Sequence, residues 1–470
     1  MLQGPSCNSW LKTVEFTVRS CEESPQGFAA AARSRCLIEL LYDNGSGTMK
    51  IRLAYGKNGL QIDVPDRNLR GVLRMKTSRP LGDPAAAIRS ALLHPIASDP
   101  LATLATGASS ACVVICDITR PMPNSLILPP VLDTLERNGI SHQRITILIA
   151  TGLHRPSTET ESTALVGEEI LRRYRVRDHH ARLQDEQIYL GTTKRGTPVH
   201  IDRHYVEAQL RITTGFIEPH LMAGFSGGRK LVAPGCAGEA TIKALHSPAF
   251  LEDPRCREGS VEGNPLHEEL LEIAQLAGHE FIVNVSLDGA RAITGVFAGD
   301  PVEAHASGVA HVRELVGARV PEPVDIAVTT SAGYPLDLTY YQAVKGVTAA
   351  LPVVKKGGML IVAAECAEGL GSPEFTAMAT SHTSPEAFMR TILDQPVVID
   401  QWQLEECAKA ARHAEVVLVS RRVHRDYEGR LFVRTAATVE DALALGFERF
   451  GADASVAVIP DGPYALVSVG

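Results

Sequence analysis

Residues 215–235 read GFIEPHLMAGFSGGRKLVAPG. They put a carboxylate (Glu218), an imidazole (His220), a glycine run (Gly224, Gly227, Gly228) and two cations (Arg229, Lys230) into one segment. Glycines let a backbone turn its N–H groups towards an anion, and a lysine directly after them adds a charge. That is a recipe for holding a phosphate-bearing ligand. It is not a Walker A loop, because the spacing differs and no Ser or Thr follows Lys230. Taken alone, Gly-Gly-Arg-Lys is more commonly a solvated surface turn.

Other segments carry candidates of the same kind. Asp117-Ile118-Thr119-Arg120-Pro121 sets a guanidinium one short turn past an apolar run. Such a group can grip a carboxylate through two parallel N–H bonds, or it can simply pair with Asp117 and tie the loop. His154 closes the segment TGLH. An imidazole titrates near neutrality, so His154 and His220 are general acid/base candidates, and capping a following segment is the alternative for each. His246 lies in the helix-like stretch 240–250 and has the donor chemistry of a borderline metal ligand, although a lone helical histidine is usually a surface or core residue. Gln342 and Lys345, three positions apart after Tyr340-Tyr341, would share one helix face and could bind an anion together. Trp402, one of two tryptophans, sits in the polar context Asp400-Gln401-Trp402-Gln403 and could form a stacking wall or part of a core. No HExxH and no Cys/His ladder occurs, so most ligands of any metal here must come from outside the protein.

These segments need elements to hold them. The apolar runs 111–116, 144–150, 210–214 and 281–287 read as buried strands, with helical spacing at 83–93 and 126–138. Strand, polar loop and helix repeat, which predicts an α/β fold of two domains with mostly parallel sheets and a site in the cleft between them. In such sheets, functional loops gather at the carboxyl ends of the strands, where Asp117, His154 and the glycine run fall. The segment 49–64 alternates around a Gly-containing turn and reads as a hairpin. A Pro-containing connector at 320–323 precedes a second pattern, with strands at 325–330, 358–364 and 414–420 and a helix at 384–393. The expected partition is an N-terminal extension of undetermined order (1–46), a first domain (47–312), a second domain (325–455) and a C-terminal segment (456–470).

Composition narrows the function classes. A 470-residue chain that is 45% apolar and 21% charged has the make-up of a globular protein of more than one domain. A formal charge of −8 argues against general nucleic-acid binding. No apolar run approaches a membrane span, and the N-terminus lacks a secretory pattern. The nine cysteines form no CxxC pair, and Cys112, Cys116, Cys366 and Cys407 read as small core residues of a reducing compartment, the cytoplasm.

The motifs DITRPMP, ATGLH, EPHLMAGFSGGRK, the downstream His246 and YYQAVKG occur in one order and spacing, and with them the chain resembles the nickel-pincer-nucleotide-dependent lactate racemase family from about Ile51 onwards. The resemblance implies two α/β domains around a cleft. It implies a cofactor, nickel(II) pyridinium-3,5-bisthiocarboxylic acid mononucleotide, whose nickel is held by two sulfurs, a ring carbon and one histidine. By position, His246 would be that metal ligand and Lys230 the residue linked to the cofactor. The glycine run (Gly224, Gly227, Gly228) with Ser226, Thr119 and Trp402 would help hold the cofactor. His154 and His220 would be the acid/base pair. Arg120, Asp117, Tyr341, Gln342 and Lys345 would surround the substrate, a small 2-hydroxy acid. The implied reaction is racemisation or epimerisation by proton-coupled hydride transfer, with cofactor-synthesis enzymes as partners. The competing expectations are a metal-dependent hydrolase or lyase that uses the same histidines as direct ligands, and a non-enzymatic nucleotide- or anion-binding protein.

Overall fold

The computed structural model describes residues 47–423, 427 and 430–470; the extension expected at 1–46 lies outside them. Two six-stranded sheets organise the rest. The first runs in the order Ile293–Gly299, Phe281–Leu287, Leu210–Phe216, Ala111–Cys116, Ile145–Ala150, Arg175–Asp178. All its neighbours are parallel except the edge pair Phe281–Leu287 and Ile293–Gly299. The run ACVVIC forms a central strand because both its faces are covered. Val113 and Ile115 enter one apolar cluster, and Cys112 and Val114 enter another on the opposite side. Local signals start the helices that cover it: Asp83 accepts from the Ala86 N–H at 2.9 Å, and Asn264 from the Leu266 N–H at 3.0 Å with Pro265 in the first turn.

The second sheet is parallel throughout, in the order Arg434–Ala436, Glu415–Val419, Val354–Ala363, Val324–Thr330, Val456–Ile459, Leu69–Val72. Its membership departs from the sequence-based partition in two places. The expected hairpin forms as Thr48–Leu53 and Leu60–Pro65, with Ile51 opposite Ile62. It nevertheless packs Ile51, Leu53, Ile62 and Val64 against Ile326, Val328, Met359 and Ile361 of the second sheet, and Leu69–Val72 adds an edge strand there. The C-terminal segment likewise supplies Val456–Ile459, a strand inside that sheet. Strand pairing across such chain distances leaves no local trace, so the partition by sequence order misplaces both pieces. Among the described residues no helix is long and apolar enough to cross a membrane.

The strands Leu210–Phe216, Ala111–Cys116 and Ile145–Ala150 are adjacent and in register, Cys116 beside Ala150 and Val114 beside Thr213. Their carboxyl ends therefore open at one edge. The loops after Val324–Thr330 and Val354–Ala363 face them from the second sheet, and the helix Gln401–His413 brings its first turn to the same place.

Candidate active site

A cleft of about 760 Å³ lies between the two sheets' carboxyl edges. Asp117, Thr119, Arg120, His154, His220, Ser226, Gly227, Lys230, His246, Tyr341, Gln342 and Trp402 all line it, so twelve of the residues singled out by sequence meet in one space.

One side is built on the ends of Ala111–Cys116 and Ile145–Ala150. Asp117 is 7% exposed, and its Oδ2 accepts from His154 Nδ1–H at 2.7 Å while its Oδ1 accepts from Thr119 Oγ1 at 2.6 Å. Burial alone would raise this carboxyl's pKa. The hydrogen bond and charge of His154, the Thr119 hydroxyl and the Arg120 guanidinium outweigh burial and hold it below the ordinary value. Because an ionised carboxylate only accepts, His154 carries its proton on Nδ1, and its Nε2 lone pair is free. Arg120 donates to the Thr119 hydroxyl at 3.3 Å and has no carboxylate in ion-pair contact among the described residues. The loop-tying pair with Asp117 is thus not formed directly.

The strand Leu210–Phe216 delivers the glycine-rich loop. His220 Nδ1 accepts from the N–H groups of Met222 and Ala223 at 3.3 and 3.2 Å. Of the two adjacent cations, only Lys230 faces the cleft. Arg229, 1% exposed, turns inward and donates to the Ala223 and Phe225 carbonyls at 2.9 and 3.2 Å and to His305 Nε2 at 2.9 Å, which clamps the loop. Burial, then the positive charges of Arg229, Arg120 and Lys345, push Lys230 down to about 7.

The glycines divide the same way, and this corrects the expected phosphate cradle. Gly227 borders the cleft at φ +79°, although a Cβ on it would stand 2.9 Å from Asn284 Nδ2 and 3.1 Å from the Phe216 carbonyl oxygen. Gly224 and Gly228 do not line it. A Cβ on Gly224 would stand 2.1 Å from the Ser260 carbonyl oxygen, and one on Gly228 3.1 Å from the His305 ring, so both serve close packing. The Ser226 hydroxyl is spent within the loop, donating to the Phe216 carbonyl at 2.9 Å and accepting from the Glu218 N–H at 3.0 Å. The Thr119 hydroxyl proton is likewise committed to Asp117.

His246 is not inside one continuous helix over 240–250. The helix Glu239–Leu245 ends on it, and Pro248–Leu251 starts anew, because a residue before proline is disfavoured in helical backbone. At that end its Nδ1–H donates to the Ile242 carbonyl at 2.8 Å, which leaves the Nε2 lone pair unspent. Burial is the main cause of its pKa of about 4, so it stays neutral and ligand-competent. The Trp402 ring lies tilted against His246, with centroids 4.6 Å apart and planes at 43°, and its Nε1–H donates to the Tyr341 hydroxyl at 3.1 Å, tying the second domain to this side. Gln342 lines the cleft with its buried Oε1 unpartnered. Lys345, expected beside it, does not line this space. It stands behind, facing Arg120, Glu218 and Glu258, and burial with Arg120 pushes it down to about 8.

A metal with an organic group supplying its other ligands fits these residues. One histidine offers a fixed, neutral lone pair, and a partly neutral lysine and an unpartnered amide oxygen stand at the same cleft. Among the described residues no three His, Cys, Asp or Glu side chains converge as a metal cage. That arrangement does not support the hydrolase or lyase reading, in which His154, His220 and His246 would ligate together.

Sequence reasoning missed Thr339, Glu368, Ser372 and Asp400 in the lining, the last of them hydrogen-bonded to Tyr341. The first three follow the strands Val324–Thr330 and Val354–Ala363, so the strand-end rule applied to the second sheet would have found them.

The chain matches the lactate racemase N-terminal domain over residues 55–259 and the lactate racemase C-terminal domain over residues 320–467. It is 35% identical over 422 residues to a lactate racemase of Thermoanaerobacterium thermosaccharolyticum, covering 89% of this chain and 99% of that one. It is 37% identical over 423 residues to a lactate racemase of Lactiplantibacillus plantarum, with the same coverage. The structure of the lactate racemase apoprotein from T. thermosaccharolyticum superposes with a TM-score of 0.84 over 89% of this chain and 99% of that chain, at 35% identity. A crystal structure of a Thermotoga maritima protein shares the fold alone, with a TM-score of 0.63 at 17% identity over 83% of this chain and 99% of that one. With both domains of one family in order and the cleft residues assembled between them, this chain belongs to the lactate racemase family and is a racemase-type isomerase.

Proposed function

We propose that the chain interconverts the two configurations at C2 of a small 2-hydroxy acid, lactate first among them, with a nickel-pincer pyridinium nucleotide bound in the cleft. The names of its relatives support lactate as substrate. The observation that carries the reading is the convergence, on one cleft, of an Asp117–His154 pair 2.7 Å apart, a neutral His246 with Nε2 free, and Lys230.

When bound, the nucleotide would supply a reversible hydride acceptor. The protein's own groups do the rest. His154 Nε2 accepts the hydroxyl proton, and the Asp117 carboxylate stabilises the resulting imidazolium. Arg120 holds the substrate carboxylate, and Gln342 can orient it from the facing domain. Tyr341 and Trp402 wall the metal side. Lys345 sets the potential from behind rather than by contact. His246 holds the metal. Lys230, brought to about 7, is available as the neutral amine that a covalent link to a cofactor acyl group requires. Cofactor-synthesis enzymes would be the loading partners, and the free, mostly buried thiols are compatible with a cytoplasmic setting.

The test is production alongside those synthesis enzymes, followed by nickel analysis, visible absorption and a chiral assay on lactate. Near-stoichiometric nickel, a visible band and racemisation are expected, with nickel lost in His246→Ala and retained in His154→Gln. No nickel under conditions that load a relative, or equal nickel in His246→Ala, would overturn the reading.

A further inference from the structure

The helix Gln401–His413 has two working faces. Leu404, Cys407 and Ala408 join the apolar cluster of the second domain. Trp402, Glu405, Glu406, Lys409 and Arg412 recur at helical spacing on the other side, which is turned to the first domain. Trp402 packs into the first domain's cluster. Lys409 Nζ donates to the Leu251 carbonyl at 2.5 Å, and Arg412 bonds both carboxylate oxygens of Glu252 at 2.9 Å. Between Trp402 and these two cations stand two carboxyl groups. Glu406, 3% exposed, accepts from Lys409 at 2.9 Å. Glu405 is 0% exposed, and neither of its carboxyl oxygens has a hydrogen-bond partner among the described residues.

A carboxylate sealed from water and without a donor is far costlier than the neutral acid. The charged groups that face Glu405 are Glu252 from the first domain and Glu406, Lys409 and Arg412 from its own helix. Glu258 stands beyond Glu406, and Lys345, from the helix Tyr340–Ala350 that packs on this one, faces Glu258 and Glu218. Burial first, then Glu252 and Glu406, raise Glu405 to about 8, and burial raises Glu406 to about 7. An ionised Glu405 would need a cation, and Lys409 and Arg412 are the same two side chains that hold Leu251 and Glu252. Pairing either one with Glu405 takes a bond away from the interface, and water reaches the new charge only if the two surfaces part.

We propose that this interface is a proton-operated latch: with Glu405 neutral, the helix Gln401–His413 is closed on the segment 248–258, and loss of the Glu405 proton to solvent releases it and opens the cleft. The step is a plain acid dissociation, in which the O–H bond breaks, the proton goes to water and no electron moves. The folded-state value lies above the ordinary 4.5, so the closed form holds a proton that a solvated glutamate has lost. The latch is therefore complete below about pH 7 and is lost as pH rises through about 8. Release reaches the cleft through one rigid element. Trp402, in the first turn of the helix, bonds Tyr341 and lies 4.6 Å from His246 of the first domain, so parting the two surfaces draws this wall away from His246. The latch depends on neither the proposed substrate nor the proposed cofactor.

The chain has two tryptophans, so Trp10→Phe leaves Trp402 as the only tryptophan and makes it a reporter at the interface itself. In that full-length background, without cofactor, tryptophan emission and the radius of gyration from small-angle X-ray scattering are followed from about pH 6 to about pH 9.5, with far-UV circular dichroism checking that the chain stays folded. His246, beside Trp402, is neutral throughout this range and adds no change of its own. Emission should move to longer wavelength and the radius should grow, reversibly and with one midpoint near pH 8. Glu405→Gln and Glu405→Met are close in size and cannot ionise. Each should keep, at the alkaline end, the emission and radius that the parent shows at the acid end, and either one decides if the other does not fold. A parent whose emission and radius stay constant across the range overturns the latch. So does a transition of the parent's size in the folded neutral variants, which would put the titrating group elsewhere.

Discussion

Replacing Asp117 with asparagine changes one atom of the cleft and is expected to remove most of its activity. Asp117 Oδ2 accepts from His154 Nδ1–H, and Oδ1 accepts from Thr119. An asparagine in that place can turn its NH2 towards Nδ1, which moves the histidine's proton to Nε2. The atom meant to take the substrate proton then becomes a donor. The carboxylate that would face the imidazolium at 2.7 Å is lost at the same time. A tautomer change of this kind in a carboxylate–histidine pair costs about 10⁴-fold in kcat, close to 5.5 kcal/mol of barrier. Thr119 can still bond the asparagine oxygen, and the site is otherwise unchanged, so cofactor loading should persist. The assay is chiral analysis of lactate conversion by Asp117→Asn, with nickel content and thermal unfolding measured on the same sample. A loss of about 10³–10⁴-fold with normal nickel is expected. Activity within about tenfold of the unmodified protein, at equal nickel, would refute the assignment of His154 as an Asp-oriented base.

Three more outcomes follow from the structure. His267 and His279 are pushed down to about 3, chiefly by burial. Below the unfolded value near 6.5 the unfolded chain takes up protons that the folded chain refuses, so stability falls as pH drops from there towards about 3. The two groups together set a slope of about 2.7 kcal/mol per pH unit, and urea midpoints that do not move between about pH 7 and 5.5 would contradict it. Lys230 should react with an amine-directed reagent with a midpoint near pH 7 in the cofactor-free chain, read by peptide mass analysis; the midpoint of an ordinary surface lysine would refute its burial among cations. Gly224→Ala should cost at least about 2 kcal/mol, since it joins a left-handed backbone (φ +77°) to a Cβ 2.1 Å from the Ser260 carbonyl oxygen, and a calorimetric Tm unchanged from the parent would exclude that packing.

Much of this architecture could be read before any coordinates. Buried strands such as ACVVIC announce themselves because a parallel strand covered on both faces needs an unbroken apolar run, and the polar residues that follow it must sit at the carboxyl edge. That reasoning brought Asp117, His154 and the 215–235 loop to one edge, and the family motifs added His246 and Tyr341. The N-terminal hairpin was visible as a hairpin but not as part of the second sheet. Its apolar face says only that something must cover it, and Ile326 and Met359, far along the chain, are what does.

What the sequence by itself determined is the inventory: which side chains can accept, donate, ligate or carry charge, and the order of elements that carries them. What only the tertiary structure decided is the state of each one. Arg229 and Lys230 are neighbours in the chain, yet one is buried as a clamp and the other faces the cleft. Gly224 and Gly228 are glycines because backbone and ring approach them, which composition cannot distinguish from an anion cradle. His154 and His220 are identical in type, and only the carboxylate behind one and the two N–H groups behind the other make them different. Hydrogen-bond direction and desolvation depend on atoms brought together from distant segments, and a one-dimensional pattern does not contain those distances.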